Sequence, residues 1–424
     1  MRLEYLFLLT IQPKAFSSSR RTILKYYRPT LTTMNWFTCS GPLGEHCKRV
    51  VTAFIEYNQK YLLFERVATM PTYAERWSGI SGSVEQDEWP VDAVWRELEE
   101  ETCLSSPYLK LIKAGLPLDI QDGEREFRVH PFLFRLMQLP ANSLEESIRL
   151  NSENRRFQLV DKNELLTLAK QGKTVPKLDD TFFRVVDTLE RIPLQWREKA
   201  KLLQQNTISG ASELAIQVAE CVRDGAPGEW IAALRPTMVS LVNIAREVSM
   251  YPQVDVLTKL DNAIRSVVEQ TGEALIQSGY RNIATFSSSS TVFKLLEWCD
   301  RNNYLLYVRV AESLPGGEGR LFYERVKKLR HVVQIKVDNQ LLQKDKSPHI
   351  QLIITGADAV LSNGDVINKI GTKQLVESAK DIRWWVICDT FKLWKDSVPP
   401  PMEEDLFQVI PKTFIDRLFI NSDE

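Results

Sequence analysis

The stretch from Gly82 to Leu104 constrains this chain most, because it concentrates carboxylates on one side of a predicted helix. Pro90 stands where a first-turn proline is tolerated, so a helix is predicted from there. At about 100° per residue, one side of this helix carries an apolar stripe of Val91, Val94, Trp95 and Leu98. A neighbouring arc of about 100° carries three acidic side chains, those of Glu97, Glu100 and Glu101.

These three glutamates predict a metal site. Like charges three and four residues apart repel one another, and carboxylates near the C-terminal end of a helix oppose its dipole. A hard divalent cation reverses both penalties, because it takes several carboxylate oxygens as ligands. Most glutamate-rich helices carry a solvated acidic face instead, so the spacing of the flanking residues has to decide between the two interpretations.

The spacing resembles the Nudix box. In that motif a Gly is followed after five residues by Glu, after seven more by Arg-Glu and an aliphatic residue, and then by Glu-Glu and a closing Gly-aliphatic pair. The chain matches the motif at Gly82, Glu88, Arg96, Glu97, Leu98, Glu100, Glu101 and Leu104. It departs at the closing glycine, where Cys103 stands. That position belongs to the turn after the helix, so the metal ligands are unaffected, although Cys is less suited to such a turn.

The resemblance implies metal-assisted hydrolysis of a diphosphate linkage. Glu97, Glu100 and Glu101 are expected to hold Mg²⁺ or Mn²⁺, which neutralises the diphosphate and activates water. Arg96 is expected to orient a carboxylate of the box, and Glu100 or Glu101 to act as the base. Substrate choice is expected to lie in loops such as 70–76 and 119–126.

Length and composition limit the number of domains, the kinds of partner and the cellular compartment that are expected. A length of 424 residues predicts two or three domains. The formal net charge of -1 argues against bulk electrostatic binding, so neither a direct nucleic-acid partner nor a membrane partner is expected. No apolar run is long enough to span a bilayer. The cysteines are scattered, which indicates a reducing compartment such as the cytoplasm and no zinc site: Cys39, Cys47, Cys103, Cys221, Cys299 and Cys388.

The N-terminal segment, residues 1–44, is basic and forms a separate unit. After Glu4 it has no acidic residue until Glu45, which fits a mitochondrial transit peptide. A disordered tail, or a true start at Met34, explains the composition equally well. The Nudix domain is then predicted over 45–190, and it opens with a hairpin around Tyr57, Asn58 and Gln59.

The second half, residues 195–424, changes character. Helical patterns come first, over 196–205, 211–223, 230–250 and 254–278. Short β-rich runs then alternate with helical patterns, at 282–286, 304–310, 332–337, 350–355 and 384–388. Such alternation predicts a parallel sheet with crossover helices, so the whole chain is assigned to the α/β class.

Three clusters in this half carry groups suited to binding a ligand. Arg235 and Thr237 stand before a helical run, where a guanidinium and a hydroxyl can hold a phosphate. A serine-rich turn, Thr285–Ser290, follows a strand, which is where α/β sheets bind ligands. Two glycine-containing segments, Gly356–Asp358 and Asn363–Thr372, hold several carboxylates and amides and a lysine.

Together these clusters resemble the initiation factor 2B family. That family includes the alpha, beta and delta subunits of translation initiation factor 2B and the isomerases of methylthioribose 1-phosphate and ribose 1,5-bisphosphate. The block GADAVLSNGDVINKIGTKQL carries most of the similarity, supported by RPTMVSLVN, the serine-rich turn and VAESLPGGEGR. The resemblance implies a helical subdomain, a Rossmann-like parallel sheet, and a dimer or higher oligomer.

Two departures bear on activity. In the isomerases the serine turn carries a catalytic Cys at the position aligned with Ser287, and an Arg stands where this chain has Leu314. A hydroxyl is a poorer acid than a thiol, and a leucine cannot hold a phosphate. Asp358 matches the acid/base carboxylate of the isomerases, and Asn368 and Lys369 match residues that contact their substrate. Phosphate binding without isomerisation is therefore predicted, by Arg235, Thr237, Ser287, Asn368 and Lys369.

Three functions follow from these resemblances. The favoured one is a magnesium-dependent hydrolase of a nucleoside diphosphate-type linkage, fused to a domain that binds a nucleotide, a sugar phosphate or a partner subunit. The others are a translation initiation regulator without catalysis, and a sugar-phosphate isomerase supplied by the Nudix domain. The box carboxylates favour the hydrolase, whereas Ser287 and Leu314 disfavour the isomerase. A homodimer, or assembly with related initiation factor 2B-family proteins, is expected.

Overall fold

A computed structural model describes residues 47–86, 88–206, 211–344, 346–379, 381–396, 400–402 and 406–421. The basic extension predicted over 1–44 lies outside these residues. None of the helices within the described ranges combines the length and the apolar composition needed to cross a bilayer.

The first half is built on one mixed sheet. Its strands are β1 (Cys47–Tyr57), β2 (Lys60–Arg66), β3 (Trp77–Ser78), β4 (Ile80–Ser83), β5 (Leu109–Ala114), β6 (Leu118–Asp122), β7 (Arg125–Leu136) and β8 (Asn154–Val160). Its helices are α1 (Pro90–Thr102), α2 (Leu144–Ser147), α3 (Lys162–Lys170) and α4 (Leu178–Phe183), followed by a 3₁₀ turn at Thr188–Arg191. The central order is β3-β2-β1-β7-β5, with β1 and β7 parallel. The predicted hairpin is present between β1 and β2, and its turn places Asn58 and Gln59 at positive φ.

Helices cover both faces of this sheet. Alternate residues of β1 face opposite sides. Val51 and Ala53 therefore pack with Leu98 of α1, whereas Phe54 packs with Phe182 of α4, at a ring-centroid distance of 5.2 Å. The first half is thus an α/β/α sandwich, as predicted.

The second half joins a helical part to a parallel sheet. Its helices are α5 (Leu194–Gln205), α6 (Ala211–Arg223), α7 (Gly228–Leu234), α8 (Val239–Met250), α9 (Val256–Ser278), α10 (Ser290–Arg301), α11 (Glu318–Val326) and α12 (Thr372–Ser378). Its strands are β9 (Asn282–Thr285), β10 (Tyr307–Ala311), β11 (Val332–Lys336), β12 (Leu352–Thr355), β13 (Ala359–Leu361), β14 (Val366–Lys369), β15 (Arg383–Cys388), β16 (Leu393–Trp394), β17 (Phe407–Ile410) and β18 (Arg417–Ile420). The order β11-β10-β9-β12-β15-β18 is parallel throughout, which confirms the predicted sheet.

The single helix predicted over 230–250 is wrong. The structure divides it into α7 and α8, separated by residues 235–238. Pro236 lacks an N–H and disfavours the helical conformation of the residue before it. Arg235 accordingly has φ -133° and ψ 66°.

A second, small sheet was not anticipated from the sequence. It has the order β16-β13-β14-β17, and β13 and β14 pair as an antiparallel hairpin. This hairpin lies within the block GADAVLSNGDVINKIG, which the sequence analysis treated as loops after a strand. Its role is to fix Asn368 and Lys369 at the end of β14.

The two halves share a hydrophobic core. One cluster of buried residues runs from Phe54 on the first sheet through Phe182 to Trp230 and Trp394 of the second half. A buried ion pair also joins them, because Arg128 Nη1 of β7 lies 2.7 Å from Asp396 Oδ2. Both side chains are almost fully excluded from solvent, at 3% and 1% exposure.

Candidate active site

Arg96 organises the box helix α1. Its Nε donates to Glu88 Oε1 at 3.0 Å, and its Nη1 donates to Glu97 Oε1 at 2.6 Å. Its Nη2 donates to the main-chain oxygen of Ser83 at 3.0 Å. Glu100 Oε2 lies 3.6 Å from Nη1. The guanidinium therefore connects the strand and loop before the helix to the acidic arc, the side of α1 that carries Glu97, Glu100 and Glu101. Its hydrogen bonds also lower the pKa of Glu88.

Glu97 lies directly against the strand before the loop. A Cβ at Gly82 would lie 1.9 Å from the Glu97 carboxyl, so this close approach requires a glycine. Burial raises the pKa of Glu97, although Arg96 opposes the shift. The first glycine of the box thus makes room for the first glutamate of the acidic arc.

Glu101 is the most deeply placed of the three predicted ligands, at 4% exposure. Asn154 of β8 donates its amide to Glu101 Oε2, while Oε1 has no hydrogen-bond partner among the described residues. Burial raises the pKa of Glu101 to about 8, and nearby Glu153 and Glu97 act in the same direction. A buried carboxylate oxygen without a donor is costly unless a cation compensates it.

The acidic arc fits a hard cation, although its side chains do not converge as they stand. In the described part of the chain, no group of three or more His, Cys, Asp or Glu side chains is arranged to hold a metal ion. Glu97 is paired with Arg96, Glu100 is 56% exposed, and Glu101 is bound by Asn154. The partnerless oxygen of Glu101 and the three carboxylates on one arc are nevertheless the donors that Mg²⁺ and Mn²⁺ accept.

Cys103 occupies the position where the box has its closing glycine. Its φ of 59° is left-handed, and its N–H closes α1 on the main-chain oxygen of Glu99. An L-residue in this conformation carries a cost of about 1–2 kcal/mol that glycine avoids. The departure from the motif therefore strains the turn and leaves the acidic arc in place.

The two segments expected to choose the substrate contact each other, although 119–126 is the β6–β7 hairpin rather than the expected loop. Tyr73 donates its hydroxyl to Asp122 Oδ2 at 2.5 Å, and Asp122 also binds Arg125. The Arg125 guanidinium lies 5.4 Å from the Tyr73 ring centroid and 5.9 Å from that of Phe127. Burial, together with the hydrogen bond to Asp122, raises the pKa of Tyr73 to about 12. The chain segments joined here are far apart in sequence, so no local pattern indicated the contact.

A second cluster lies at the ends of strands in the second half. Ser287 has φ 68°, and its N–H donates to Ser313 Oγ at 2.7 Å. Its hydroxyl donates to Glu318 Oε1 at 3.0 Å, and Lys369 Nζ donates to the same oxygen. The structure thus brings together Ser287 and Lys369, as predicted, and adds Glu318, which the sequence analysis did not single out.

Asp358 and Asn368 border this cluster. Burial raises the pKa of Asp358, against the opposing charges of Lys392 and Lys369. Lys392 was also not singled out from the sequence, and its Nζ donates to the main-chain oxygen of Ala357 at 2.6 Å. Asn368 is 4% exposed and donates to the main-chain oxygen of Gly356 at 3.1 Å, so it fixes the loop that carries Asp358.

Arg235 and Thr237 lie in the helical part, between α7 and α8. Arg235 Nη1 donates to the main-chain oxygens of Leu203 and Asn206, at the C-terminal end of α5. A guanidinium at this position also complements the helix dipole. The structure therefore gives Arg235 a structural contact, and its contact with a phosphate stays a prediction.

The two halves of the chain match two different families of known proteins. Residues 47–179 match the family model described as NUDIX domain, and residues 226–405 match the model of the Initiation factor 2 subunit family. The chain joins a Nudix domain to an initiation factor 2B-like domain. The Nudix match contains the whole acidic arc, and the initiation factor 2B-like match contains Ser287, Glu318, Asp358 and Lys369.

Individual relatives resemble one half each. A ribose 1,5-bisphosphate isomerase of Archaeoglobus fulgidus is 26% identical over 224 residues, which cover 46% of this chain and 71% of the isomerase. The crystal structure of a Pyrococcus horikoshii translation initiation factor eIF-2B is 21% identical, with a TM-score of 0.46, and covers 54% of this chain and 95% of its own. That of a Methanosarcina mazei MutT protein is 22% identical, with a TM-score of 0.27, and covers 33% of this chain and 94% of its own.

Proposed function

We propose that the Nudix domain is a metal-dependent hydrolase that cleaves a diphosphate linkage of the nucleoside diphosphate type. The observation that carries the proposal is the buried, partnerless oxygen of Glu101 on the same helix arc as Glu97 and Glu100. These carboxylates are the donors that a Mg²⁺ or Mn²⁺ ion takes.

The residues of the box would then have separate roles in metal binding, orientation and proton transfer. The cation held by Glu97, Glu100 and Glu101 would supply charge neutralisation at the diphosphate. Arg96 fixes the orientation of the Glu97 carboxylate through its 2.6 Å hydrogen bond. Glu100, exposed at the rim, or Glu101 would accept the proton of the attacking water.

The test is a screen of nucleoside diphosphate derivatives with Mg²⁺, scored for phosphate-containing products. Glu100→Gln is expected to lower turnover by about two orders of magnitude, as loss of an acid–base group generally does. Glu99→Gln is the matched control, because Glu99 lies on the same helix and is exposed. If Glu100→Gln equalled an active wild type across the panel, the catalytic role of Glu100 would be ruled out. If the wild type turned over no compound of the panel, the proposed hydrolase activity would be contradicted.

We propose further that the initiation factor 2B-like domain binds a phosphorylated small molecule without isomerising it. Ser287 and Lys369 present a hydroxyl and an ammonium in one cluster, while Arg235, Thr237 and Asn368 remain candidate contacts. Isomerisation is disfavoured because Ser287 replaces a thiol. Assays with ribose 1,5-bisphosphate and methylthioribose 1-phosphate are expected to stay at background, and robust turnover of either sugar would contradict this.

We also propose that the chain associates through its second half, with another copy or with a related protein. Large apolar side chains are exposed there on α5 and α11, with exposures of 78% for Leu194, 67% for Leu202 and 70% for Leu321. Sedimentation of the full chain tests this proposal. A monomer at every accessible concentration, with no related protein bound, would count against it.

A further inference from the structure

Glu318 occupies the centre of the cluster in the initiation factor 2B-like domain. It opens α11, directly after two glycines, and its Oε1 accepts from both Ser287 Oγ and Lys369 Nζ. The carboxylate and the ammonium are both partly buried, at 25% and 12% exposure. A Cβ at Gly316 would lie 2.6 Å from Glu318 Oε2 and 2.8 Å from Lys369 Nζ, so the loop closes tightly over the pair.

The two donors that Glu318 engages are those that a phosphate oxygen would need. A hydroxyl and an ammonium aimed at one oxygen form charge-assisted hydrogen bonds, which suit a phosphate as well as a carboxylate. A second anion at this position would lose both donors to Glu318 and would also be repelled by it. The cluster is therefore already neutralised from within the chain.

We propose that Glu318 determines the charge specificity of this site, because its carboxylate is an internal anion that competes with a ligand phosphate for Ser287 and Lys369. The inference rests on the proposed function of the domain as a binder of phosphorylated small molecules. A phosphate enters the cluster by displacing Glu318, so the wild-type site binds it weakly. Removing the negative charge should strengthen phosphate binding.

A catalytic role for Glu318 is the main alternative. A carboxylate beside a hydroxyl resembles a base that activates a nucleophile. Here the same oxygen also accepts from Lys369, so the carboxylate is engaged by an ammonium as well as by the hydroxyl. A base would be needed for turnover, whereas an internal anion opposes binding. Removing the charge therefore lowers turnover if Glu318 is a base, and strengthens binding if it is an internal anion.

The experiment is calorimetry on the full chain with two probes, inorganic phosphate and ribose 5-phosphate. Glu318→Gln keeps the side-chain shape and removes the charge, and it is expected to bind both probes at least about tenfold more tightly. Glu324→Gln is the matched control, because Glu324 lies on the same helix and is exposed. It should bind within about twofold of the wild type, since surface charges contribute little.

A double variant tests whether the tighter binding of phosphate depends on Lys369. Adding Lys369→Ala to Glu318→Gln should abolish the tighter binding, because the ammonium is then absent. If the Gln variant loses its folded structure by circular dichroism, Glu318→Ala repeats the test. If the wild type binds a probe and Glu318→Gln binds it equally or more weakly, this inference alone is overturned. Binding of neither probe by any variant would overturn both the inference and the proposed ligand class.

Discussion

His130 is a buried histidine on β7, in the Nudix domain, at 6% exposure. Its Nε2 has no hydrogen-bond partner among the described residues. Burial lowers the pKa of His130 to about 3, and the cations Arg128 and Arg49 act in the same direction. The imidazole is therefore neutral in the folded protein at neutral pH.

This burial makes stability depend on pH. An unfolded histidine titrates near pH 6.5, whereas the folded one titrates near 3. The unfolded state thus binds the extra proton first, and the contribution of His130 is complete above about pH 6.5 and is lost as the pH falls towards 3. Between about pH 6.5 and pH 3, this group alone should lower the free energy of unfolding by about 1.4 kcal/mol for each unit by which the pH falls.

Urea denaturation at pH 7, 6, 5 and 4 measures the effect. His130→Gln should flatten the curve relative to the wild type, since the variant lacks the titrating group. His349→Gln is the control, because that histidine is exposed. Parallel curves for the wild type and His130→Gln would show that His130 does not carry the dependence.

Residue contacts were predictable where they are local. The spacing of the box anticipated that Arg96 meets a neighbouring carboxylate, and the replacement of glycine by Cys103 anticipated a strained turn. The contact of Glu101 with Asn154 joins residues 53 apart, and that of Ser287 with Glu318 joins residues 31 apart. Such pairs depend on how strands and helices are arranged, which periodicity does not encode.

Elements were predictable when they were long and had clear patterns. The box helix begins at the proline that the sequence indicated, and the parallel strands β9, β10, β11, β12 and β15 were located to within a few residues. The sixth parallel strand, β18, was not predicted. The small sheet was missed because its strands have two to four residues, too few to show alternation. The pattern predicted over 230–250 did not separate α7 from α8, although the helical run placed after Thr237 corresponds to α8.

The start of α3 is stabilised by a reciprocal cap. Asp161 Oδ1 accepts from the N–H of Glu164 at 2.9 Å, and the Glu164 carboxylate accepts from the N–H of Asp161 at 2.8 Å. Asp161→Ala should therefore reduce the free energy of unfolding by about 1 kcal/mol, because the N–H of Glu164 loses its side-chain acceptor. Urea denaturation measures the change.

Asn163→Ala serves as the control for this cap, because Asn163 lies in the same turn with an exposed side chain. It should change stability by less than about 0.5 kcal/mol. Equal effects of the two substitutions would mean that the cap contributes nothing beyond helix propensity.

At the scale of the whole molecule, the ion pair of Arg128 and Asp396 joins the two domains. Arg128 also pairs with Asp119 at 2.8 Å, so its guanidinium contacts a carboxylate from each domain. Asp396→Asn leaves a buried guanidinium partly uncompensated, and it should reduce the free energy of unfolding by about 3 kcal/mol. Because the pair crosses the domain interface, the loss should destabilise both domains together.

An exposed ion pair provides the comparison. Arg135 lies 2.9 Å from Glu56, but its side chain is 50% exposed. Glu56→Gln should cost less than about 1 kcal/mol, since solvent screens the charges. Thermal unfolding of both variants, followed by circular dichroism and tryptophan fluorescence, distinguishes them. A separate, unchanged transition for one domain of Asp396→Asn would contradict the coupling.

The continuous core also determines how molecules reach either site. Domain closure needs a hinge, a few residues that absorb a large dihedral change while two bodies separate. Separating the domains here would expose Phe182 and Trp230 to water and would break the Arg128 ion pair. Entry to the Nudix site is therefore expected to depend on local motion, as of residues 70–76 and of the turn between β6 and β7. Loop excursions take nanoseconds to microseconds, whereas domain motions take microseconds to milliseconds, so access to the Nudix site should be fast relative to typical turnover.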